Sequence, residues 1–119
     1  MKKIYFLSTC STCKKILKNW DISDSIKKID LKKNPISALD LKELYSLSNS
    51  YEALFNKRAV LFREKKKHLE IITEKEYKEM LLAHYSFLKR PVLIINEKLF
   101  VGNSKETLNK AALEIKSGF

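Results

Sequence analysis

The chain has 119 residues, of which 45% are hydrophobic and 32% are charged, and its formal net charge is +10. This length supports one domain over residues 1–119, and the composition excludes disordered and fibrous proteins. No segment is long and apolar enough to be a membrane-spanning helix, so no membrane association is expected.

The N-terminal segment predicts a buried strand followed directly by a helix. Residues 3–8 are short in extent and rich in β-branched and aromatic side chains, which is typical of a strand. This apolar run is too short for a signal peptide, so we expect a cytoplasmic protein. From Ser11 onward, apolar residues recur at helical spacing, which places Cys10 at or just before the N-terminus of that helix.

The following segments predict a second strand and a helical middle section. Residues 25–31 alternate in polarity and end at a Lys-Asn-Pro breaker, which predicts a strand. Because a helix connects the first strand to this one, the two strands should be parallel. Ser37 with Asp40 has the pattern of a helix cap, and a break at residues 48–51 precedes a shorter helical piece. Residues 73–76 form a capping box at the start of a further helix.

The C-terminal segments predict a hairpin and a last helix. Residues 91–96 form the strongest strand pattern, and a turn at Glu97 leads to a strand over residues 98–101. Pro91 is tolerated there because the first residue of a strand need not donate to the ladder. Ser104 caps the last helix. The order β-α-β, helical insertion, β-β-α predicts an α/β thioredoxin-like fold with a mixed four-stranded sheet.

Cys10 and Cys13 form a Cys-x-x-Cys pair between a strand and a helix, a pattern typical of redox sites in a reducing compartment. The helix N-terminus lowers the pKa of a thiol through unpaired N–H groups and the macrodipole, and Lys14 and Lys15 add positive charge. Cys13 can resolve a mixed disulfide by attacking Cys10. The alternative is that both cysteines are small core residues that happen to lie close together.

Other chemistry is less well supported by the sequence. Zinc normally takes four ligands, and neither His68 nor His84 has a suitable spacing, so we expect no metal and no bound cofactor. We expect His84 to pack in the core on the apolar stripe of its helix and His68 to be exposed. The scattered lysines indicate solvated faces, with an acidic partner as the alternative. No stacking or helix-turn-helix motif indicates direct nucleic-acid binding.

Four segments, which span nearly the whole chain, carry a resemblance to a known family. They read Cys10-Ser-Thr-Cys-Lys-Lys, Arg58-Ala-Val-Leu-Phe-Arg63, Lys89-Arg90-Pro91-Val-Leu-Ile and Phe100-Val-Gly-Asn103. This set resembles the glutaredoxin-like arsenate reductase (ArsC) family and its relatives, the Spx-type redox regulators.

The resemblance implies roles for individual residues. Cys10 matches the nucleophile, and Pro91 matches a proline that is typically cis. Arg63 and Arg90 match residues that bind the oxyanion, a role suited to the planar fork of arginine. We assign Ser11 and Thr12, between the cysteines, to the same anion site. We interpret Arg58, the chain's other arginine, as a surface or helix-end charge.

Two departures from the arsenate reductase pattern leave two functions open. Those enzymes carry one cysteine in the loop and a third arginine after the hairpin, whereas this chain has Cys13 and reads Val101-Gly102-Asn103. The first function is a thiol oxidoreductase acting on a small oxyanion such as arsenate or on a disulfide. Its electron donor would be glutathione with glutaredoxin, or thioredoxin. The alternative is an Spx-like redox sensor that binds RNA polymerase. A monomer is expected in either case.

Overall fold

The computed structural model describes residues 2–66 and 71–117. The strands are β1 (Lys3–Phe6), β2 (Lys27–Asp30), β3 (Val92–Ile95) and β4 (Lys98–Val101). The α-helices are α1 (Ser11–Trp20), α2 (Ala38–Ser48), α3 (Tyr51–Leu54), α4 (Val60–Lys66), α5 (Glu74–Ala83) and α6 (Lys105–Ser117), with a 3₁₀ turn at Tyr85–Phe87. His68, expected to be exposed, lies outside the described residues.

The chain divides into two compact units. The first comprises Met1–Asn34 and Arg90–Phe119, and the second comprises Pro35–Lys89. The expectation of one domain over residues 1–119 stays a prediction. In the parts of the chain that the structure describes, no helix has the length and apolar character needed to cross a membrane.

The first unit is built on a four-stranded sheet with the strand order β2-β1-β3-β4. The pairing of β1 with β2 is parallel and places Phe6 opposite Asp30, as a βαβ connection requires. The pairings of β1 with β3 and of β3 with β4 are antiparallel. The predicted parallel pair and the mixed sheet are therefore confirmed.

One face of this sheet packs against helices α1 and α6. The buried cluster comprises Ile4, Ile26, Leu93, Ile95 and Ala111, and partly buried residues packed against it include Leu17, Trp20 and Ile115. Burial of these side chains contributes the main stabilisation of the unit. The indole Nε1 of Trp20 donates to the carbonyl of Leu108 at 3.3 Å, which links the end of α1 to α6.

The hairpin turn lies where the sequence predicted it. Asn96 and Glu97 have positive φ angles of 54° and 64°, as the two central residues of a type I′ turn require. Ser104 accepts a hydrogen bond from the N–H of Thr107 at 3.2 Å. It therefore caps α6 as predicted.

Side-chain caps define the helix starts in the second unit. The Ser37 hydroxyl accepts from the N–H of Asp40 at 3.0 Å, and Thr73 with Glu76 forms the predicted capping box. His84 was expected to pack in the core on the apolar stripe of its helix. This prediction is wrong, because α5 ends at Ala83 and His84 is only half-buried. The half-buried His84 instead accepts a hydrogen bond from the N–H of Ser86 at 3.0 Å through Nδ1 and caps the 3₁₀ turn.

Candidate active site

A tight turn carries the chain from β1 to Cys10. The N–H of Cys10 donates to the carbonyl of Leu7 at 3.0 Å, and the N–H of Lys14 donates to the carbonyl of Cys10 at 3.1 Å. Cys10 has extended dihedral angles, φ −95° and ψ 113°, and is the N-cap of α1. The prediction that Cys10 lies at the helix N-terminus is confirmed.

The sulfur of Cys10 lies among hydrogen-bond donors at the start of this helix. Partial burial raises the pKa of the thiol, but hydrogen bonds from the N–H and thiol of Cys13 and from the N–H of Thr12 lower it. The positive charge of Arg90 lowers it further, and the net result is a pKa below the usual thiol value. A greater fraction of Cys10 is therefore thiolate, the nucleophilic form, at neutral pH.

Cys13 has the opposite environment one helical turn away. Its side chain is fully buried, and both cysteines carry free thiols. Burial raises the pKa of Cys13, and the neighbouring Cys10 sulfur raises it further, against the lowering effect of a backbone hydrogen bond from Leu7. The two thiols thus interact directly but differ in acidity and in access to solvent.

Arg90 and Pro91 connect the second unit to β3. The Arg90–Pro91 peptide bond is cis, as the family resemblance implied. Arg90 is half-buried, and its charge lowers the pKa of Cys10 and of Cys13. The structure therefore brings Arg90, which is distant in sequence, close to both thiols.

The remaining predicted site residues are all exposed. Ser11 and Thr12 lie in the first turn of α1, where Thr12 contributes its N–H to the Cys10 sulfur. Arg63 lies in α4 of the second unit. Arg58 precedes that helix, and its N–H donates to the side chain of Asn56 at 3.1 Å, in keeping with a surface position.

Asp30 lies near this site and was not among the residues predicted from the sequence. Its Oδ1 atom accepts hydrogen bonds from the N–H groups of Ser8 and Lys32, both at 3.1 Å. Ser8 belongs to the turn before Cys10. A signal was available, since an aspartate at the end of a strand, before a Lys-Lys-Asn-Pro turn, commonly accepts hydrogen bonds from backbone N–H groups.

Comparisons with known proteins agree with this architecture. The ArsC family profile matches residues 5–111. The YusI protein of Bacillus subtilis (strain 168), itself described as uncharacterized, is 32% identical over 103 residues, which cover 82% of this chain and 86% of YusI.

Solved structures show the same fold. An arsenate reductase (ArsC) related protein from Brucella melitensis is 27% identical, with a TM-score of 0.67 and coverage of 92% of both chains. An arsenate reductase from Vibrio cholerae is 19% identical, with a TM-score of 0.71 and coverage of 96% of both chains. The α/β thioredoxin-like fold class is thereby confirmed.

Proposed function

The chain belongs to the ArsC family, and from this premise we propose that it is a thiol–disulfide oxidoreductase. In the proposed mechanism Cys10 is the nucleophile and Cys13 is the resolving thiol. The observation that carries the proposal is the difference in acidity between the two thiols. The pKa of half-buried Cys10 is lowered by hydrogen bonds and by Arg90, whereas burial raises the pKa of Cys13.

The lower pKa of Cys10 suits it to make the first attack in a two-step reduction of arsenate. The Cys10 thiolate first forms a sulfur–arsenic bond, and one oxygen of arsenate leaves as water. Cys13 then loses its proton to an arsenic-bound oxygen and attacks the Cys10 sulfur. The sulfur–arsenic bond breaks, and its electron pair stays on arsenic. Two thiols become one disulfide while arsenate becomes arsenite, so electrons and atoms balance. A small disulfide substrate would follow the same two attacks with a thiol as the leaving group.

The groups that would bind an oxyanion lie at the start of α1 and at Arg90. A helix N-terminus offers N–H donors to an anion, and arginine can bind two oxygens at once. Ser11 and Thr12, exposed in the first turn, would add hydroxyl donors. A role for Arg63 in oxyanion binding stays a prediction from the family resemblance.

Where Cys13 resolves the Cys10 adduct, an external reductant must reopen the resulting Cys10–Cys13 disulfide after each turnover. We propose glutathione with glutaredoxin, or thioredoxin, as this donor, and the cytoplasm as the compartment that supplies it. Thioredoxin can attack an intramolecular disulfide directly, so turnover with thioredoxin requires Cys13 to form that disulfide with Cys10. Glutathione can instead attack a Cys10 adduct, in which case Cys13 is dispensable.

A second candidate function is favoured by the sequence after β4. The residues there are Val101, Gly102 and Asn103, without the third arginine of the arsenate reductase pattern. An Spx-like redox sensor that binds RNA polymerase would need the two thiols but no oxyanion ligand at this position. Recovery of polymerase subunits from lysate in one redox state only would support this candidate, and recovery in neither state would count against it.

Arsenate reduction by the purified full chain separates the two candidates. Wild type, Cys10→Ser and Cys13→Ser would each be assayed with glutathione and glutaredoxin, and separately with thioredoxin. We expect Cys10→Ser to be inactive with both donors and Cys13→Ser to lose only the thioredoxin-supported turnover. Ser46→Ala, a change of an exposed residue in α2, serves as a matched control. Absence of turnover by wild type with either donor would contradict the reductase.

A further inference from the structure

The carboxylate of Asp30 joins the ends of two parallel strands at the turn that precedes Cys10. Phe6 and Asp30 are register partners, and the N–H of Leu31 donates to the carbonyl of Phe6 at 2.8 Å. From this position Oδ1 of Asp30 accepts from the N–H of Ser8 at 3.1 Å. The Ser8 hydroxyl also donates to the carboxylate. One side chain therefore holds both the backbone and the side chain of Ser8.

The turn that includes Ser8 contacts the backbone of Cys10 and the sulfur of Cys13 through Leu7. The carbonyl of Leu7 accepts a hydrogen bond from the N–H of Cys10 at 3.0 Å. The backbone N–H of Leu7 donates to the Cys13 sulfur. A displacement of Ser8 would move Leu7 and the N-cap residue together. The hydrogen bonds from the helix N-terminus to the Cys10 sulfur depend on that N-cap geometry.

We propose that Asp30 is a positioning residue for the thiol pair, holding the turn at Ser8 so that the Cys10 sulfur meets the N–H donors of α1. This inference rests on the proposed role of Cys10 as the nucleophile. Asp30 itself would not contact the substrate. Asp30 acts through the carboxylate oxygen that accepts the hydrogen bond from Ser8, not through its negative charge.

Any effect of the Asp30 charge on Cys10 would be opposite in sign to the effect of its acceptor oxygen, so the two can be separated. A negative charge near a thiol disfavours the thiolate and raises the pKa of that thiol. Removing only the charge would therefore lower the pKa of Cys10. Removing the acceptor would loosen the turn, weaken the hydrogen bonds to the sulfur and raise the pKa of Cys10. Asp30→Asn removes only the charge, and Asp30→Ala removes both the charge and the acceptor oxygen.

The test is the pH dependence of iodoacetamide alkylation in the reduced full chain, assigned to Cys10 by peptide mass spectrometry. Asp24→Ala is the matched control, because Asp24 is an exposed aspartate in the loop before β2. At pH 6 we expect Asp30→Ala to slow alkylation of Cys10 about fivefold, and Asp30→Asn to stay within about twofold of wild type. Asp24→Ala should match wild type.

Each other outcome has a definite meaning. Equal acceleration by Asp30→Ala and Asp30→Asn would show that only the charge matters and would overturn the inference. No change in a folded Asp30→Ala variant would overturn it as well. If Asp30→Ala fails to fold, Asp30→Ser replaces it, because its hydroxyl is too short to reach Ser8. An ordinary thiol profile for wild-type Cys10 would instead overturn the proposed function.

Discussion

The N–H of Gly102 donates a hydrogen bond of 2.9 Å to the carbonyl of Pro91. The first residue after β4 is thereby tied to the residue that follows Arg90. Gly102 has a φ angle of 88°, the left-handed side of backbone space, which glycine adopts without a steric penalty. The backbone beside Arg90 thus depends on the absence of a side chain at Gly102.

Gly102→Val should destabilise the protein, because a β-branched residue is strained at this φ angle. We expect the free energy of unfolding to fall by about 1–3 kcal/mol, measured as a lower urea midpoint. The control is Asn103→Val, which adds a branched side chain at an adjacent exposed position without a positive φ. Equal losses in the two variants would contradict this explanation.

Arg90→Gln should make Cys10 less reactive below neutral pH. The positive charge of Arg90 stabilises the Cys10 thiolate, so its loss raises the pKa of that thiol. Alkylation of Cys10 at pH 6 should slow about threefold, whereas Arg90→Lys, which keeps the charge, should stay closer to wild type. Arg58→Gln, a change of an exposed arginine in the second unit, should have no effect. A slower reaction in the Arg58 variant would point to net charge alone.

The lowered pKa of Asp30 makes stability depend on pH with a definite sign. Partial desolvation raises the pKa of this carboxyl, but hydrogen bonds from Ser8 and Lys32 and the charge of Lys33 bring it below the usual aspartate value. The folded state therefore favours the ionised form. The resulting stabilisation is present above the unfolded pKa and is lost as the pH falls through the lowered folded pKa.

Asp30→Asn removes this titration. We expect the difference in unfolding free energy between pH 6 and pH 3 to be smaller in Asp30→Asn than in wild type, as measured by urea unfolding at each pH. Asp24→Asn should retain the wild-type difference. An unchanged difference in Asp30→Asn would show that the hydrogen bonds donated by Ser8 and Lys32 do not favour the carboxylate.

Glu74→Ala should destabilise the second unit by removing a cap from α3. One carboxylate oxygen of Glu74 accepts from the N–H of Tyr51 at 2.8 Å, and the other accepts from the N–H of Glu52 at 3.0 Å. Because the site is exposed, we expect a loss of about 1 kcal/mol, seen in urea unfolding. The neighbouring change Lys75→Ala is the control. Unchanged amide exchange at Tyr51 and Glu52 would contradict the capping role.

Local sequence signals predicted the elements better than the contacts between them. The caps at Ser37, Thr73 and Ser104 are formed by residues three positions apart, so composition and spacing suffice to find them. His84 was placed wrongly because apolar spacing continues past Ala83 and does not mark where the helix ends.

The candidate site shows the same limit. The position of Cys10 before α1 followed from a strand pattern meeting a helix pattern. The bond between Asp30 and Ser8 spans 22 residues, and the proximity of Arg90 to Cys10 spans more of the chain. The position of Asp30 at a strand end indicates an acceptor for backbone N–H groups but does not identify Ser8 as the donor. Only the family resemblance pointed to Arg90.

Strand β2 lies at one edge of the sheet, and its first two residues, Lys27 and Lys28, are exposed. An edge strand has backbone groups that another extended chain could pair with, and lysine side chains along it oppose such pairing. Two copies approaching along this edge would bring like charges together. Part of the large positive charge is therefore placed where it protects the dissolved protein against strand-to-strand aggregation.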